Sequence, residues 1–166
     1  MCGITGILPA NIKFKHNIKN DILVMTESLR HRGPNSLNHY SDEYIALGHT
    51  RLSVLDLSSR ATQPKKSFTG RFILSFNGEI YNHSKLRSEI EEEHGFKNWE
   101  SSSDTLTLVN MFEFWDLEKI LNKMKGMFAF ALWDKKLKKL ILARDRFGEK
   151  PLYFGWIEKD FVFGSE

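Results

Sequence analysis

The chain opens with MCGITGIL (residues 1–8), a run of small and β-branched residues around its single cysteine, Cys2. This composition predicts a strand from Cys2 to Leu8 that ends at Pro9. Removal of Met1 would make Cys2 the N-terminus and give one residue both a thiol and a free α-amine. An α-amine titrates near ~8 and a cysteine thiol near ~8.5, so the amine can serve as a base for the thiol. The strand is therefore a candidate carrier of a nucleophile, although Cys2 taken alone is also explained as a chance cysteine.

Periodicity predicts the remaining elements and with them the fold class. Apolar residues at helical spacing predict helices at about 18–30, 84–94, 104–112 and 117–124. Short apolar runs predict strands at 44–49, 71–76, 127–133, 140–144, 152–156 and 161–163, of which the last four form two hairpins. Helices and antiparallel hairpins that follow no regular strand–helix–strand order are typical of an α+β protein.

Turn and cap residues predict where three of these elements begin or end. Asn77-Gly78 predicts a tight turn after the strand at 71–76, directly before Glu79. Gly95 predicts a left-handed helix stop, and Asp104 predicts a helix N-cap.

Composition excludes several classes of function. With one cysteine in 166 residues the chain has no internal disulfide, which fits a reducing compartment, and we expect the cytoplasm. The net charge is +3 and the lysines are scattered, which disfavours a nucleic-acid groove. No apolar run approaches the ~20 residues of a membrane-spanning helix, so we expect no membrane contact. The chain stops directly after a predicted strand, which favours a domain taken from a longer protein.

Four short segments carry residues suited to chemistry: Cys2-Gly3-Ile4, HTRLS (49–53), Asn77-Gly78-Glu79 and Ser103-Asp104. Each has an ordinary explanation. Arg51 at a strand end is commonly a solvated charge, Asn77-Gly78 a turn, and Asp104 a helix cap. None of these segments justifies a function by itself.

Together the segments resemble a known family. The motifs are CGITGI (2–7), HRGPN (31–35), HTRLSVLDLS (49–58), QP (63–64), FNGEIYNH (76–83), SDT (103–105), GMFAFALWD (126–134) and ARDRFGEKPLY (143–153). In this order, over residues 2–166, they resemble the glutaminase domain of class II glutamine amidotransferases, and more narrowly the asparagine synthetase branch. One departure is Asn35, where the family usually has aspartate. The segment RDRFGEKPLY (144–153) also resembles the corresponding segment of relatives from surface-polysaccharide gene clusters.

The resemblance implies a fold, a domain plan and a set of partners. The fold would be that of the N-terminal-nucleophile hydrolases, a four-layer α/β/β/α sandwich with two antiparallel sheets. Residues 2–166 would form the glutaminase domain, and an ATP-dependent synthetase domain would follow it in the complete protein. The glutaminase domain would need no cofactor or metal, whereas ATP and magnesium would serve the synthetase domain. Expected partners are L-glutamine, the synthetase domain in cis and a second copy in a homodimer.

The resemblance also assigns catalytic roles. Cys2, once exposed by loss of Met1, matches the nucleophile that attacks the side-chain amide of glutamine, and its α-amine matches the general base. Asn77 and Gly78 match the oxyanion hole through a side-chain N–H and a backbone N–H. While Met1 is attached, the nitrogen of Cys2 is an amide and cannot act as a base.

Seven residues match the family's substrate contacts, and two of them, Asn77 and Gly78, are also the oxyanion-hole donors. Arg51 matches the ligand of the substrate α-carboxylate, which a guanidinium can bind through two parallel hydrogen bonds. Asp104 matches the ligand of the α-ammonium group. Leu52 and Val54 match positions that line the pocket largely through their backbone, and Glu79 completes the Asn-Gly-Glu contact segment. Free glutamine is a zwitterion, so one fixed cation and one fixed anion suit it.

The predicted activity is hydrolysis of L-glutamine to L-glutamate and ammonia through a Cys2 thioester. The chain would be the glutaminase half of a glutamine-hydrolysing, asparagine-synthase-like amidotransferase. The ammonia would convert aspartate to asparagine or serve a related amidation in surface-polysaccharide synthesis. One alternative is a non-catalytic glutamine-binding or interaction module. Another is an N-terminal-nucleophile hydrolase for a different amide, which Arg51 and Asp104 disfavour because their charges fit a free amino acid.

Overall fold

A computed structural model describes residues 1–10, 18–52 and 62–166. In chain order the elements are β1 (Gly3–Leu8), α1 (Ile18–Ser28), a 3-10 turn (Arg30–Arg32), β2 (Ser36–Ser41), β3 (Ala46–Arg51), β4 (Lys65–Lys66), β5 (Phe72–Ile80), α2 (His83–His94), α3 (Asp104–Met111), α4 (Leu117–Lys123), β6 (Gly126–Asp134), β7 (Lys139–Arg144), β8 (Tyr153–Ile157) and β9 (Asp160–Gly164). The predicted helices and both predicted hairpins, β6–β7 and β8–β9, are confirmed.

The strands form two antiparallel sheets. The first has the order β2-β3-β1-β9-β8 and the second the order β4-β5-β6-β7. The N-terminal strand β1 therefore lies at the centre of its sheet, between β3 and β9. Its neighbour β9 is the last strand of the chain, so the two ends of the sequence lie side by side.

Three hydrophobic cores separate four layers of secondary structure. Helix α1 packs on the first sheet through Ile7, Ile22 and Ala46. Helices α2, α3 and α4 cover the second sheet over a large core that includes Phe76 and Phe130. A third core fills the space between the two sheets, with these fully or largely buried members: Ile45, Leu47, Ile73, Ala131, Trp133 and Phe163. The predicted α/β/β/α sandwich is therefore confirmed.

The sheet-on-sheet packing follows from alternation along β5 and β6. In β6, Phe128, Phe130 and Leu132 point to the helices, whereas Ala131 and Trp133 point to the first sheet. Both faces of this sheet are buried, which explains why Met127–Trp133 is a continuous apolar run rather than an alternating pattern.

The prediction of a turn at Asn77-Gly78 is wrong. Both residues lie inside β5, where Asn77 pairs with Ala129 and Gly78 with Phe128. A Cβ atom on Gly78 would lie 2.3 Å from the carbonyl oxygen of Met127 and 2.7 Å from the Cα of Phe128. Glycine is needed here because β6 approaches closely, and not because the chain turns.

The prediction that Asp104 caps helix α3 is also wrong by one residue. The N-cap is Ser103, whose hydroxyl accepts a hydrogen bond from the Leu106 N–H at 3.2 Å. Asp104 is the first helical residue, and its carboxylate is used elsewhere. The prediction of a left-handed stop at Gly95 is confirmed by its φ of 68°.

Two strands were not predicted. Strand β2 (SLNHYS) is half-exposed and mostly polar, so it lacks the alternation that indicates a strand, and it lies at a sheet edge. Strand β4 has only two residues. Among the helices that the structure describes, none combines the length and apolarity needed to cross a bilayer.

Candidate active site

Cys2 lies where β1 enters the first sheet. The β1–β3 ladder begins with Gly3 opposite Thr50, so the same register brings Cys2 opposite Arg51. The Gly3 N–H donates to the Thr50 hydroxyl at 3.0 Å, and a Cβ on Gly3 would lie 2.6 Å from that oxygen. The Cys2 side chain is partly exposed. The candidate nucleophile and the candidate carboxylate ligand thus meet at one end of the sheet.

The HRGPN segment supports Arg51 from the other side. The Asn35 N–H donates to the Arg51 carbonyl at 3.0 Å, and Pro34 forms a parallel bridge with Arg51. Leu52 follows at the surface, 38% exposed. Val54, the other predicted pocket residue of this segment, lies outside the described residues.

Asn77 has the features expected of an oxyanion-hole donor. Its side chain is 3% exposed, and its Nδ2 is buried with no hydrogen-bond partner in the described part of the chain. Because Phe76 points to the helices, Asn77 points to the space between the sheets, where β5 contacts both β1 and β3. A buried amide without a partner costs about 1–3 kcal/mol, so such a group calls for a specific explanation.

The backbone N–H of Gly78 points to an accessible side of β5. Along an antiparallel strand, N–H groups point alternately to the two neighbours. The N–H of Phe76 donates to the Gln63 Oε1 at 2.7 Å, and the N–H of Ile80 donates to the Asp104 Oδ2 at 3.0 Å, both away from β6. The same alternation directs the Gly78 N–H to this side, between Gln63 and Asp104.

Asp104 is held next to the Asn77–Glu79 segment. Besides the bond from Ile80, its Oδ1 accepts from the Thr105 N–H at 2.7 Å. Both carboxylate oxygens are therefore anchored to backbone at the start of α3, where the helix dipole favours a negative charge. Glu79, opposite Met127 in the ladder, is exposed.

His49 joins the two sheets beside this site, a role that the sequence did not indicate. The ring is fully buried, and its Nε2 lies 3.1 Å from the carbonyl oxygen of Phe76, so Nε2 carries the proton and donates. Burial lowers the pKa of His49 to about 4; the bond to Phe76 opposes this shift and the nearby Arg51 cation adds to it. A neutral His49 thus links β3 to the residue before Asn77.

The sequence also does not indicate the individual roles of Arg32 and Gln63, although both residues lie in motifs that carry the family resemblance. The Arg32 Nε donates to the Cys2 carbonyl oxygen at 3.3 Å. Gln63 is buried, and its side chain accepts the Phe76 N–H. Their roles depend on contacts with residues far away in the sequence, which spacing alone does not reveal.

The structure therefore brings Cys2 beside Arg51 at one end of the first sheet, and brings Asp104, at the start of α3, beside the Asn77–Glu79 segment of the second sheet. The described residues include no group of three or more His, Cys, Asp or Glu that could hold a metal ion.

Comparisons with known proteins identify the family. The family model for the glutamine amidotransferase domain matches residues 1–166. Asparagine synthetase [glutamine-hydrolyzing] 3 of Bacillus subtilis (strain 168) is 36% identical over 171 residues, covering 100% of this chain and 26% of that protein. Putative asparagine synthetase [glutamine-hydrolyzing] 2 of Methanocaldococcus jannaschii is 32% identical over 185 residues, covering 100% of this chain and 34% of that protein. The chain thus spans about a quarter to a third of the length of these relatives.

A solved structure agrees on the fold. The glutamine phosphoribosylpyrophosphate amidotransferase of B. subtilis, complexed with ADP and GMP, superposes with a TM-score of 0.74 at 22% identity. The match covers 99% of this chain and 42% of that one. On the match of the family model over the whole chain, the protein belongs to the glutamine amidotransferase domain family.

Proposed function

We propose that residues 2–166 are a glutaminase domain that hydrolyses L-glutamine to L-glutamate and ammonia. The observation that carries this proposal is the buried Nδ2 of Asn77, which has no hydrogen-bond partner among the described residues and lies next to the Gly78 N–H. The Asn77 amide points to the space between the sheets, where β5 contacts the strand that carries Cys2, and two adjacent N–H donors suit the negative oxygen of a tetrahedral intermediate.

The first half of the reaction forms a thioester. In a chain that begins at Cys2, the thiol proton passes to the α-amine and the sulfur bonds to the amide carbon of glutamine. The carbonyl electrons move to the oxygen, which accepts hydrogen bonds from Asn77 Nδ2 and Gly78 N. The intermediate collapses as the C–N bond breaks, and the ammonium group of Cys2 returns a proton to the leaving nitrogen, which departs as ammonia.

The second half releases glutamate. A water molecule gives a proton to the same amine and attacks the thioester carbon, and the oxyanion forms again between the same two donors. The C–S bond then breaks, glutamate leaves, and the sulfur recovers its proton. One α-amine thus serves as base and acid in both halves, because it titrates near ~8 and so exchanges protons near neutral pH.

Selectivity for free glutamine would come from two charges at the far end of the substrate. Arg51 pairs with the α-carboxylate and Asp104 with the α-ammonium, while Leu52, Val54 and Glu79 complete the pocket. The two backbone bonds to Asp104 support this role, because they hold its carboxylate in one orientation. Peptide-bound glutamine lacks both free charges and would be a poor substrate.

For the complete protein we propose that the ammonia passes to an ATP-dependent synthetase domain C-terminal to residue 166, which uses ATP and magnesium. The names of the curated relatives support asparagine as the product, and an amidation in surface-polysaccharide synthesis is the second candidate. A cytoplasmic location, supported by the single cysteine, and a homodimer belong to the same proposal. A non-catalytic glutamine-binding module is less favoured, because the residues assigned to chemistry and to the two substrate charges are all present: Cys2, Arg51, Asn77, Gly78 and Asp104.

The test measures glutamate and ammonia release from protein whose N-terminus is confirmed by mass spectrometry to be Cys2. We expect turnover in this protein, none in Cys2→Ala, and none in protein that retains Met1. Replacing Arg51 with methionine should raise KM for glutamine much more than it lowers kcat, because the lost contact binds substrate and transition state alike. A correctly processed chain that binds glutamine without releasing glutamate would support the non-catalytic module instead.

A further inference from the structure

The residues after β9 hold the start of β1 by direct contacts. The Ser165 N–H donates to the Ile4 carbonyl oxygen at 2.9 Å, and the Ile4 N–H donates to the Ser165 hydroxyl at 3.0 Å. Ser165 is fully buried. Both backbone polar groups of Ile4 are therefore satisfied by one residue 161 positions away in the sequence.

The next residue, Glu166, reaches Cys2 itself through Arg32. The Arg32 Nη1 lies 2.8 Å from the Glu166 Oε1, and the Arg32 Nε donates to the Cys2 carbonyl at 3.3 Å. The Arg32 side chain is 9% exposed, and its Nη2 is buried without a partner among the described residues. His31 approaches the same Glu166 oxygen at 2.9 Å. Contact with Arg32, and then with His31, lowers the pKa of Glu166, so the ion pair holds at neutral pH.

We infer that Glu166 is a positioning residue for Cys2: it fixes the guanidinium of Arg32, which in turn fixes the carbonyl of the nucleophilic residue. This inference rests on the proposed glutaminase function. Cys2 precedes the first pair of the β1–β3 ladder, and its carbonyl accepts a hydrogen bond from the side chain of Arg32. Arg32 supplies a hydrogen bond there, and Glu166 supplies the charge-assisted bond that keeps Arg32 in place.

The expected consequence is kinetic. Rotation about the backbone of Cys2 moves both its thiol and its α-amine, and a misplacement of about 1 Å can cost on the order of 100-fold in rate. Glu166 itself does not touch glutamine in this proposal. Its loss should therefore lower kcat and leave KM for glutamine nearly unchanged.

The test compares Glu166→Ala and Glu166→Gln in protein that begins at Cys2. The matched control is Glu27→Gln, which neutralises one partner of an exposed ion pair with Arg30, two residues before Arg32. We expect Glu166→Ala to lower kcat at least tenfold, Glu166→Gln to lower it less because the amide oxygen still accepts from Arg32, and Glu27→Gln to leave it unchanged. Thermal unfolding confirms that each variant is folded.

A double substitution separates positioning from general stability. Because Glu166 acts through Arg32, adding Glu166→Ala to Arg32→Met should produce no further loss of kcat. If the two residues acted independently, the fold-losses of kcat in the single variants would multiply in the double variant. Equal kcat in Glu166→Ala and the unsubstituted protein, or multiplying losses in the double variant, would overturn the inference.

A second readout does not need glutamine turnover. The rate at which iodoacetamide alkylates Cys2 should change in Glu166→Ala and not in Glu27→Gln, because only the first alters the orientation of the thiol. If the unsubstituted protein releases no glutamate but this difference in alkylation persists, the proposed function fails and the positioning role stands. If turnover is present and neither kcat nor alkylation responds to Glu166→Ala, the positioning role fails alone.

Discussion

The burial of His49 predicts that the protein loses stability in mild acid. In the folded chain the pKa of His49 is about 4, against 6.5 for an unperturbed side chain. Between these pH values the unfolded chain binds a proton that the folded chain excludes, so stability must fall as pH falls through this window. One unit of pKa corresponds to 1.36 kcal/mol, which gives a full loss of about 3 kcal/mol and a loss of about 2 kcal/mol between pH 7 and pH 5.

The assay is urea unfolding followed by tryptophan fluorescence at pH 7, 6 and 5, with the free energy of unfolding extrapolated to water. Trp133 is buried between the sheets and makes the signal sensitive to unfolding. The test variant is His49→Gln, whose amide can still donate to the Phe76 carbonyl but does not titrate. Its free energy of unfolding should lose most of the dependence on pH between 7 and 5.

The matched control is His39→Gln, which removes an exposed histidine from the edge strand β2. This variant should keep the full loss of about 2 kcal/mol, because His49 is intact. A loss of less than about 0.5 kcal/mol between pH 7 and pH 5 in the unsubstituted protein, or the same pH dependence of stability in His49→Gln and His39→Gln, would contradict this role of His49.

Three further substitutions test the site and its supports. Asn77→Ala should lower kcat for glutamine by about 10²–10³-fold, because one donor to the oxyanion is lost; steady-state assays check this, and a change confined to KM would contradict it. Gly78→Ala should destabilise the fold by about 1–3 kcal/mol, since its Cβ would lie 2.3 Å from the Met127 carbonyl oxygen; urea unfolding measures the loss, and an unchanged midpoint would rule out the close packing. Ser103→Ala should cost about 1 kcal/mol in the free energy of unfolding through loss of the cap on Leu106, and an equal cost for Ser102→Ala, which changes an exposed neighbouring serine, would argue against that specific role.

The sequence was sufficient for elements whose stability is local or strongly patterned. The β6–β7 hairpin could be predicted because a continuous apolar run, a turn of charged residues and a second apolar run leave few other structures. Gly95 could be predicted as a helix stop because the left-handed conformation it adopts is costly for other residues.

Sequence pattern is a poor guide where distant residues decide the structure. Asn77-Gly78 has the composition of a turn, and only the approach of β6 explains a glycine inside β5. Asp104 has the composition of a cap, but its carboxylate accepts the Ile80 N–H at the end of another strand. Strand β2 has no periodic signal, because its pairing with β3 rather than its side chains holds it in the sheet.

The same limit applies to the site. The candidate roles of Cys2, Arg51, Asn77, Gly78 and Asp104 came from their match to family motifs, and spacing along the chain could not have assembled them. The supporting roles of Arg32 and His49 are visible only from their contacts with Cys2 and Phe76, which are 30 and 27 residues away in sequence.

The most direct test of the central claim is covalent labelling by the glutamine analogue 6-diazo-5-oxo-L-norleucine, mapped by peptide mass spectrometry. In protein that begins at Cys2, we expect a single adduct on Cys2, with labelling slowed by L-glutamine and lost in Arg51→Met at the same reagent concentration. An adduct on another residue, or labelling of Cys2 that neither L-glutamine nor Arg51→Met affects, would contradict it.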